Sequence, residues 1–265
     1  MSLEHALPLH AVLAAITVAI ILYAILTARS GKDYYVRKIP GLAAIDEAVG
    51  RATEMGRPML FSIGLGGTDP STFQALAVLQ HVARLAARYD GRLIVPIVDV
   101  VLYPIAEELC REAWHAEGKD EAFRPDDIRF LSDRQFAYAA AVIGIMHRER
   151  VASNYYFGLF YAESLLLAES GQETGAVQVA GTPSTTQIPF FLVACDYTII
   201  GDEYFAATAY LTREPTLLGS LIGQDVAKAL LFLMIIAGIA GATVTTLLGP
   251  KVFERFGDFV IRLFG

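Results

Sequence analysis

PMLFSIGLGGTDPSTFQALAVLQHVARLAARY, residues 58–89, decides how the chain folds. Its first eight residues, Pro58–Leu65, are almost continuously apolar, as a strand is when both faces of its sheet are covered. A glycine-rich turn follows. Asp69 and Pro70 then open a helix: a carboxylate can accept from the orphan N–H groups of a first turn, and proline lacks the N–H that would be unsatisfied there. Phe73, Leu76, Leu79, Val82 and Leu85 form one apolar stripe on that helix, which runs to Tyr89. Arg92–Val98 (RLIVPIV) is again a short apolar run, although Pro96 cannot donate to a ladder. Strand, helix, strand in this order is the unit of a parallel sheet.

The rhythm continues outward. Upstream, Gly41–Met55 reads as a helix, with Leu42, Ile45 and Val49 on one side. Downstream, Pro104–His115 reads as a helix, Ile128–Leu131 as a strand, Arg134–Arg148 as a helix and Ala152–Leu159 as an aromatic strand. Tyr161–Glu169 reads as a helix stopped by Gly171. Ala176–Gly181 and Phe190–Ile200 read as strands, and Glu203–Leu211 as a last helix. The expected fold class is therefore α/β: a doubly wound, mostly parallel Rossmann-like sheet, flanked by two transmembrane helices.

Those flanking helices are Leu7–Thr27 and Ala227–Leu248, the second with Lys228 at its start. Each has the roughly 20 apolar residues that a helix needs to cross a hydrocarbon core of about 30 Å. The expected organisation is an N-terminal transmembrane helix over 1–28 and a juxtamembrane linker and helix over 29–57. The α/β domain covers 58–214, a linker and second transmembrane helix 215–249, and an amphipathic helix 250–265. In that last segment Val252, Phe253, Phe256, Phe259, Val260 and Phe264 alternate with Glu254, Arg255, Asp258 and Arg262, a pattern suited to a lipid interface or a partner subunit. Arg29, Lys32, Arg37 and Lys38 follow the first span, and no Lys or Arg precedes it. Positive charge stays inside, so the expectation is an inner-membrane protein with its α/β domain cytoplasmic and both termini outside. Lys251, Arg255 and Arg262 run against that rule.

The net charge of −7 argues against nucleic acid as a partner. The two cysteines, Cys110 and Cys195, have no CxxC spacing and read as free thiols of a cytosolic domain. His81, His115 and His147 are far apart, so no local metal site is expected, and no catalytic set assembles in the sequence. No cofactor is indicated.

In a doubly wound sheet, ligands sit beyond the carboxyl ends of strands. The first such end holds Gly64, Gly66, Gly67, Thr68 and Ser71, and Asp99 ends the second strand where a ribose-binding acid would stand. No P-loop Lys is present, Asp69 occupies the third glycine position of GxGxxG, and Asp69 would repel a phosphate. A tight turn capped by Asp69 is the competing reading. A second cluster, Gly181, Thr182, Ser184, Thr185 and Thr186, could bond a polar ligand or cap a short helix. Ser153–Tyr161 holds five aromatics, as a core strand or an interface would. Ala237 with Gly241, Gly238 with Ala242, and Ala15 with Ala19 are small pairs that let membrane helices approach closely.

Several segments as they stand resemble a family of bacterial and archaeal membrane proteins known only as a domain of unknown function. They are GLAAIDEAVGRATEMGRP (41–58), RLIVP (92–96), FYAES (160–164), QIPF (187–190) and ACDY (194–197). The likeness covers about residues 38–230. It implies a membrane-anchored cytosolic domain and carries over no activity. Three functions stay open. The first is a homo-oligomeric scaffold in the lipid bilayer that engages other membrane proteins. The second is a ligand-binding or sensory domain with its site at the strand ends. The third is a membrane-proximal hydrolase using Cys195 or Ser184.

Overall fold

A computed structural model describes residues 8–31, 39–212 and 215–248. The expected amphipathic helix over 250–265 lies outside the described residues. The described chain divides into two units, a helical pair from its two ends and the α/β domain between them.

The domain holds six strands: β1 (Met59–Gly64), β2 (Leu93–Ile97), β3 (Ile128–Phe130), β4 (Ser153–Leu159), β5 (Val177–Thr182) and β6 (Tyr197–Ile200). All neighbours are parallel and the order is β3-β2-β1-β4-β5-β6. The sheet is therefore parallel throughout, and its order reverses between β1 and β4. Helices cover both faces. On one lie α2 (Pro40–Glu54), α3 (Pro70–Arg88), α4 (Leu102–Ala116) and α8 (Asp202–Thr212). On the other lie α5 (Gln135–Glu149), α6 (Glu163–Glu173) and α7 (Ile188–Ala194). The alternation of a strand assigns the side chains. Met59, Phe61 and Ile63 join the first face, as do Tyr155 and Phe157; Leu60 and Tyr156 join the second. Tyr155, Tyr156, Phe157 and Phe160 are fully buried, so the aromatic run is core except for Tyr161, which is exposed.

Two expectations need correction, and a third, a strand through Pro96, holds. Phe190–Ile200 is not one strand: Ile188–Ala194 is helical and only Tyr197–Ile200 pairs with β5. Phe191 and Ala194 alone reach the core there, a spacing of three that a helix supplies. Gly171 does not stop α6, which continues to Glu173; the glycine is needed because a Cβ would lie 2.0 Å from Gln178 Oε1 and 2.5 Å from Asn154 Nδ2. Pro96 sits inside β2 after all. Its ring nitrogen has no proton to donate, and the β1 register with β2 covers only Met59–Leu93 and Leu60–Ile94. The Pro96 carbonyl instead accepts from the buried Tyr138 hydroxyl at 3.2 Å, whose oxygen accepts in turn from Ser62 at 2.8 Å.

The helical pair comprises α1 (Pro8–Arg29) and α9 (Pro215–Leu248). Both are long and apolar enough to cross a membrane, over Ala11–Arg29 and Pro215–Thr243. The second stretch starts at Pro215, so the segment expected to link is itself helical. The helices are antiparallel: Arg29 donates to Thr216 at 3.3 Å, Gly219 lies against Ala24 and Ile25, and Gly223 against Ile21. A Cβ on Gly219 would come within 2.5 Å of Ile25 Cα, so only glycine allows that approach. Ala24, Ala28, Gly223 and Ala227 are buried in the same seam, whereas Ala15, Ala19, Ala237 and Gly238 face outward.

Candidate functional site

The strand order reverses between β1 and β4, and beyond the carboxyl ends at such a switch is the place where doubly wound sheets receive ligands. Its floor is built by two facing glycines. Gly64 has φ +73° and Gly158 φ +123°. A Cβ on either would strike the opposite backbone, at 2.4 Å from Leu159 O or 2.3 Å from Ile63 O. The ladder skips one residue there, pairing Ser62 with Tyr156 but Gly64 with Leu159. Gly64 is thus required by the bulge between strands, a structural role separate from the ligand contact expected of it.

Above that floor the loop to α3 turns through Gly66, Gly67 and Thr68. Gly67 has φ +60°, and a Cβ there would meet Asp99 Oδ2 at 3.6 Å, so the structure brings Gly67 and Asp99 together. Among the described residues, Gly66, Gly67 and Thr68 donate no backbone hydrogen bond. The start of α3 is spoken for. Asp69 Oδ1 accepts from Ser71 N–H at 2.5 Å, and Asp69 O from the Thr72 and Phe73 N–H groups at 3.0 and 3.3 Å. The capping role expected of Asp69 is present, and it leaves a phosphate little to bind. Asp99 likewise accepts from Val101 N–H at 2.9 Å and turns the chain into α4.

Two buried hydroxyls in this loop lack a partner, Ser71 Oγ and Thr72 Oγ1. Thr72 Oγ1 points at Gly66, 3.0 Å from where a Cβ would be. Sequence reasoning missed Thr72, because a threonine in a first turn looks like any other. It also missed Glu163, which is fully buried just past the end of β4 and accepts from Gln135 at 2.5 Å and from Tyr161 N–H at 2.9 Å.

The second predicted cluster is split. Gly181 packs under Phe157 and Tyr204, and the Tyr204 hydroxyl donates to Ser71 O at 2.5 Å, so one tyrosine touches both clusters. Thr182 Oγ1 accepts from Ser184 N–H at 3.2 Å, and Ser184 bonds Thr186 at 2.9 Å. Neither Ser184 nor Thr185 caps α7 with its side chain. The geometry joins Gly66, Gly67, Thr68, Ser71, Thr72 and Asp99 on one side of the switch; it leaves Ser184 and Thr185 on the other side of the sheet.

The opposite edge, at the strand amino ends, has a different character. A cavity of about 190 Å³ lies between Arg92, Leu93, Cys110, Trp114 and Phe123. Two shallower ones, about 330 and 350 Å³, are lined by Arg57, His147 and Arg150, and by Arg51, Gln178 and Cys195. Arg92 there binds buried Asp127 through two contacts of 2.7 and 2.8 Å, and Glu149 at 2.9 Å, an arrangement that holds Glu149 below the usual carboxylate range. These bonds are structural ties between β2, β3 and α5. We place the candidate site at the carboxyl edge, where the strand order reverses and the Gly66–Thr68 loop meets Asp99. Cys110 is buried and its thiol is pushed up to about 12 by desolvation. Burial, aided by Asp196, pushes Cys195 up too. Protonated thiols are poor nucleophiles. No three His, Cys, Asp or Glu side chains among the described residues gather to hold a metal.

A family model described as a domain of unknown function, DUF6754, matches residues 4–253. No curated protein and no solved structure matches the chain.

Proposed function

The chain belongs to the domain-of-unknown-function family DUF6754, and from that premise we propose that it is a membrane-anchored α/β protein that oligomerises as a structural part of a membrane assembly. In this reading α1 and α9 cross the inner membrane, the domain is cytoplasmic and both termini are outside. The observation that carries it is the division of small residues on the two helices. The seam within the chain uses Ala24, Ala28, Gly219, Gly223 and Ala227, and leaves Ala15, Ala19, Ala237 and Gly238 outward, where a second copy or another membrane protein can pack. Native mass spectrometry of gently extracted protein tests this. A defined oligomer whose share falls in a Gly238→Leu, Ala15→Leu variant is expected; a monomer at all concentrations would sink the proposal.

A second reading is favoured by one feature, the open Gly66–Thr68 backbone beside Asp99 and the unpaired Thr72 hydroxyl. Free N–H donors next to a carboxylate suit a small hydroxyl-bearing ligand better than a phosphate. Such a ligand would raise the melting temperature of the wild type and not of Gly67→Val, Asp99→Asn. A screen of polyols, nucleosides and sugars with no differential shift would remove this reading. The hydrolase alternative is less favoured, since burial raises the pKa of the Cys195 thiol and Ser184 bonds only Thr186 and its own loop.

A further inference from the structure

Exposed large apolar side chains gather at one edge of the domain. Phe73, Val100, Ile105, Phe136, Tyr161 and Phe205 are all exposed, Val100 at 64% and Phe136 at 61%. Each lies just beyond the carboxyl end of a strand or in the first turn of the helix that follows. The first turn of a helix favours Asp and Glu, which complement its dipole. Yet α3, α4, α5 and α7 have no acidic residue there, while α6 has the buried Glu163 and α8 opens with Asp202 and Glu203. The opposite edge carries Arg51, Arg57, Arg92, Arg124 and Arg150, with Met55, Tyr89 and Val193 exposed among them. A clustered apolar rim of this kind marks a surface that is covered in use.

The chain indicates by what. Gly41 packs on Ile199 near the end of β6, and Thr53 lies beside Gly91 at the start of β2. So α2 begins at the apolar edge and runs toward the arginine edge. Residues 32–38 connect Gly31 to Ile39, which is the first residue of that edge. Eight peptide steps reach at most about 29 Å, so the chain enters this edge of the domain over a short tether from α1. The connecting residues are KDYYVRK, with tyrosines and cations of the kind that settle at a membrane interface. We infer that the carboxyl edge of the sheet is seated on the bilayer surface, with its aromatic and aliphatic rim in the headgroup zone. This rests on the membrane-anchored reading above. The carboxylates of Asp69 and Asp99 accept from the backbone within the edge, and seating needs no anionic lipid.

Single tryptophans test this in full-length protein reconstituted in phosphatidylcholine vesicles with or without acyl-chain bromine. Trp114, the one native tryptophan, is replaced by Phe. Probes are Phe136→Trp and, separately, Val100→Trp, which has little packing to lose; Tyr89→Trp reports the far edge and Tyr23→Trp reports α1. Expected is loss of emission in brominated lipid for both rim probes and for Tyr23→Trp, and none for Tyr89→Trp. If Tyr23→Trp is quenched and the rim probes are not, the seating is wrong while the anchoring stands. Dissolved acrylamide then says whether water or protein covers the rim, and either overturns the inference. If Tyr23→Trp is not quenched, the anchoring itself fails and the seating with it.

Discussion

Gly158 shows how much a single residue decides. Its φ of +123° lies where a side chain is strained, and Ile63 O occupies the space of a Cβ. Gly158→Ala should cost about 2–4 kcal/mol, combining backbone strain with overpacking, and thermal unfolding would read it. A value under about 1 kcal/mol would mean the bulge can be rearranged. His81 makes a pH-dependent contribution. It lies 3.7 Å from Asp46, but burial is the stronger influence and lowers its pKa below 6.5, with Arg84 and Arg88 acting in the same direction. The folded state therefore binds fewer protons than the unfolded one just below pH 6.5. Stability is highest above that value and falls as pH drops toward the folded pKa. Between about pH 8 and 5.5, wild type should lose more melting temperature than His81→Gln. Equal slopes would refute this. None of this was legible beforehand. A glycine inside an aromatic strand carries no sign of the bulge it serves, and the burial of His81 is set by how α3 packs in the fold.

Among elements, α3 was readable almost to the residue, because its cap, first-turn proline and stripe all pointed the same way. The element α7 was not. A seven-residue apolar helix and an apolar strand look alike in sequence, and only packing against β4 and α6 separates them. The seam between α1 and α9 was also not legible in sequence. Small residues are common in both helices, and which pairs meet depends on register. That register pairs Ile25 with Gly219 and Ile21 with Gly223. Gly223→Leu should force the helices apart, since Ile21 Cα lies 2.7 Å from the Cβ position; spin labels on Tyr23 and Leu221 would show a longer, broader distance. An unchanged distance would mean the seam is formed elsewhere. The same register carries Asp225 to about the level of Ala19, mid-way along α1. A carboxylate at that depth of a bilayer costs roughly 2.5–3.5 kcal/mol unless it is buried by a partner. Asp225→Leu should therefore lower the oligomeric share in native mass spectra, and an unaltered oligomer would place that carboxylate in water.

For the whole molecule, the proposed topology makes its own prediction. A cysteine at Ser2 should react with an impermeant maleimide on intact cells, and one at Tyr89, exposed at the far edge, only after lysis; the reverse pattern would invert the orientation. Composition and periodicity settled the broad outline. Long uncharged runs mark helices suited to lipid, and apolar strands alternating with amphipathic helices leave a parallel, doubly covered sheet as the way to bury both. These are local signals, summed over ten or twenty neighbouring residues, and survive without knowledge of the fold. Tertiary structure decided the strand order, the switch between β1 and β4, and the meeting of Gly67 with Asp99. It also set the partial burial that raises the pKa of Cys195 and the gathering of apolar side chains along one edge. Each of those depends on residues distant in the chain becoming neighbours, and nothing in the local pattern of a sequence encodes that distance.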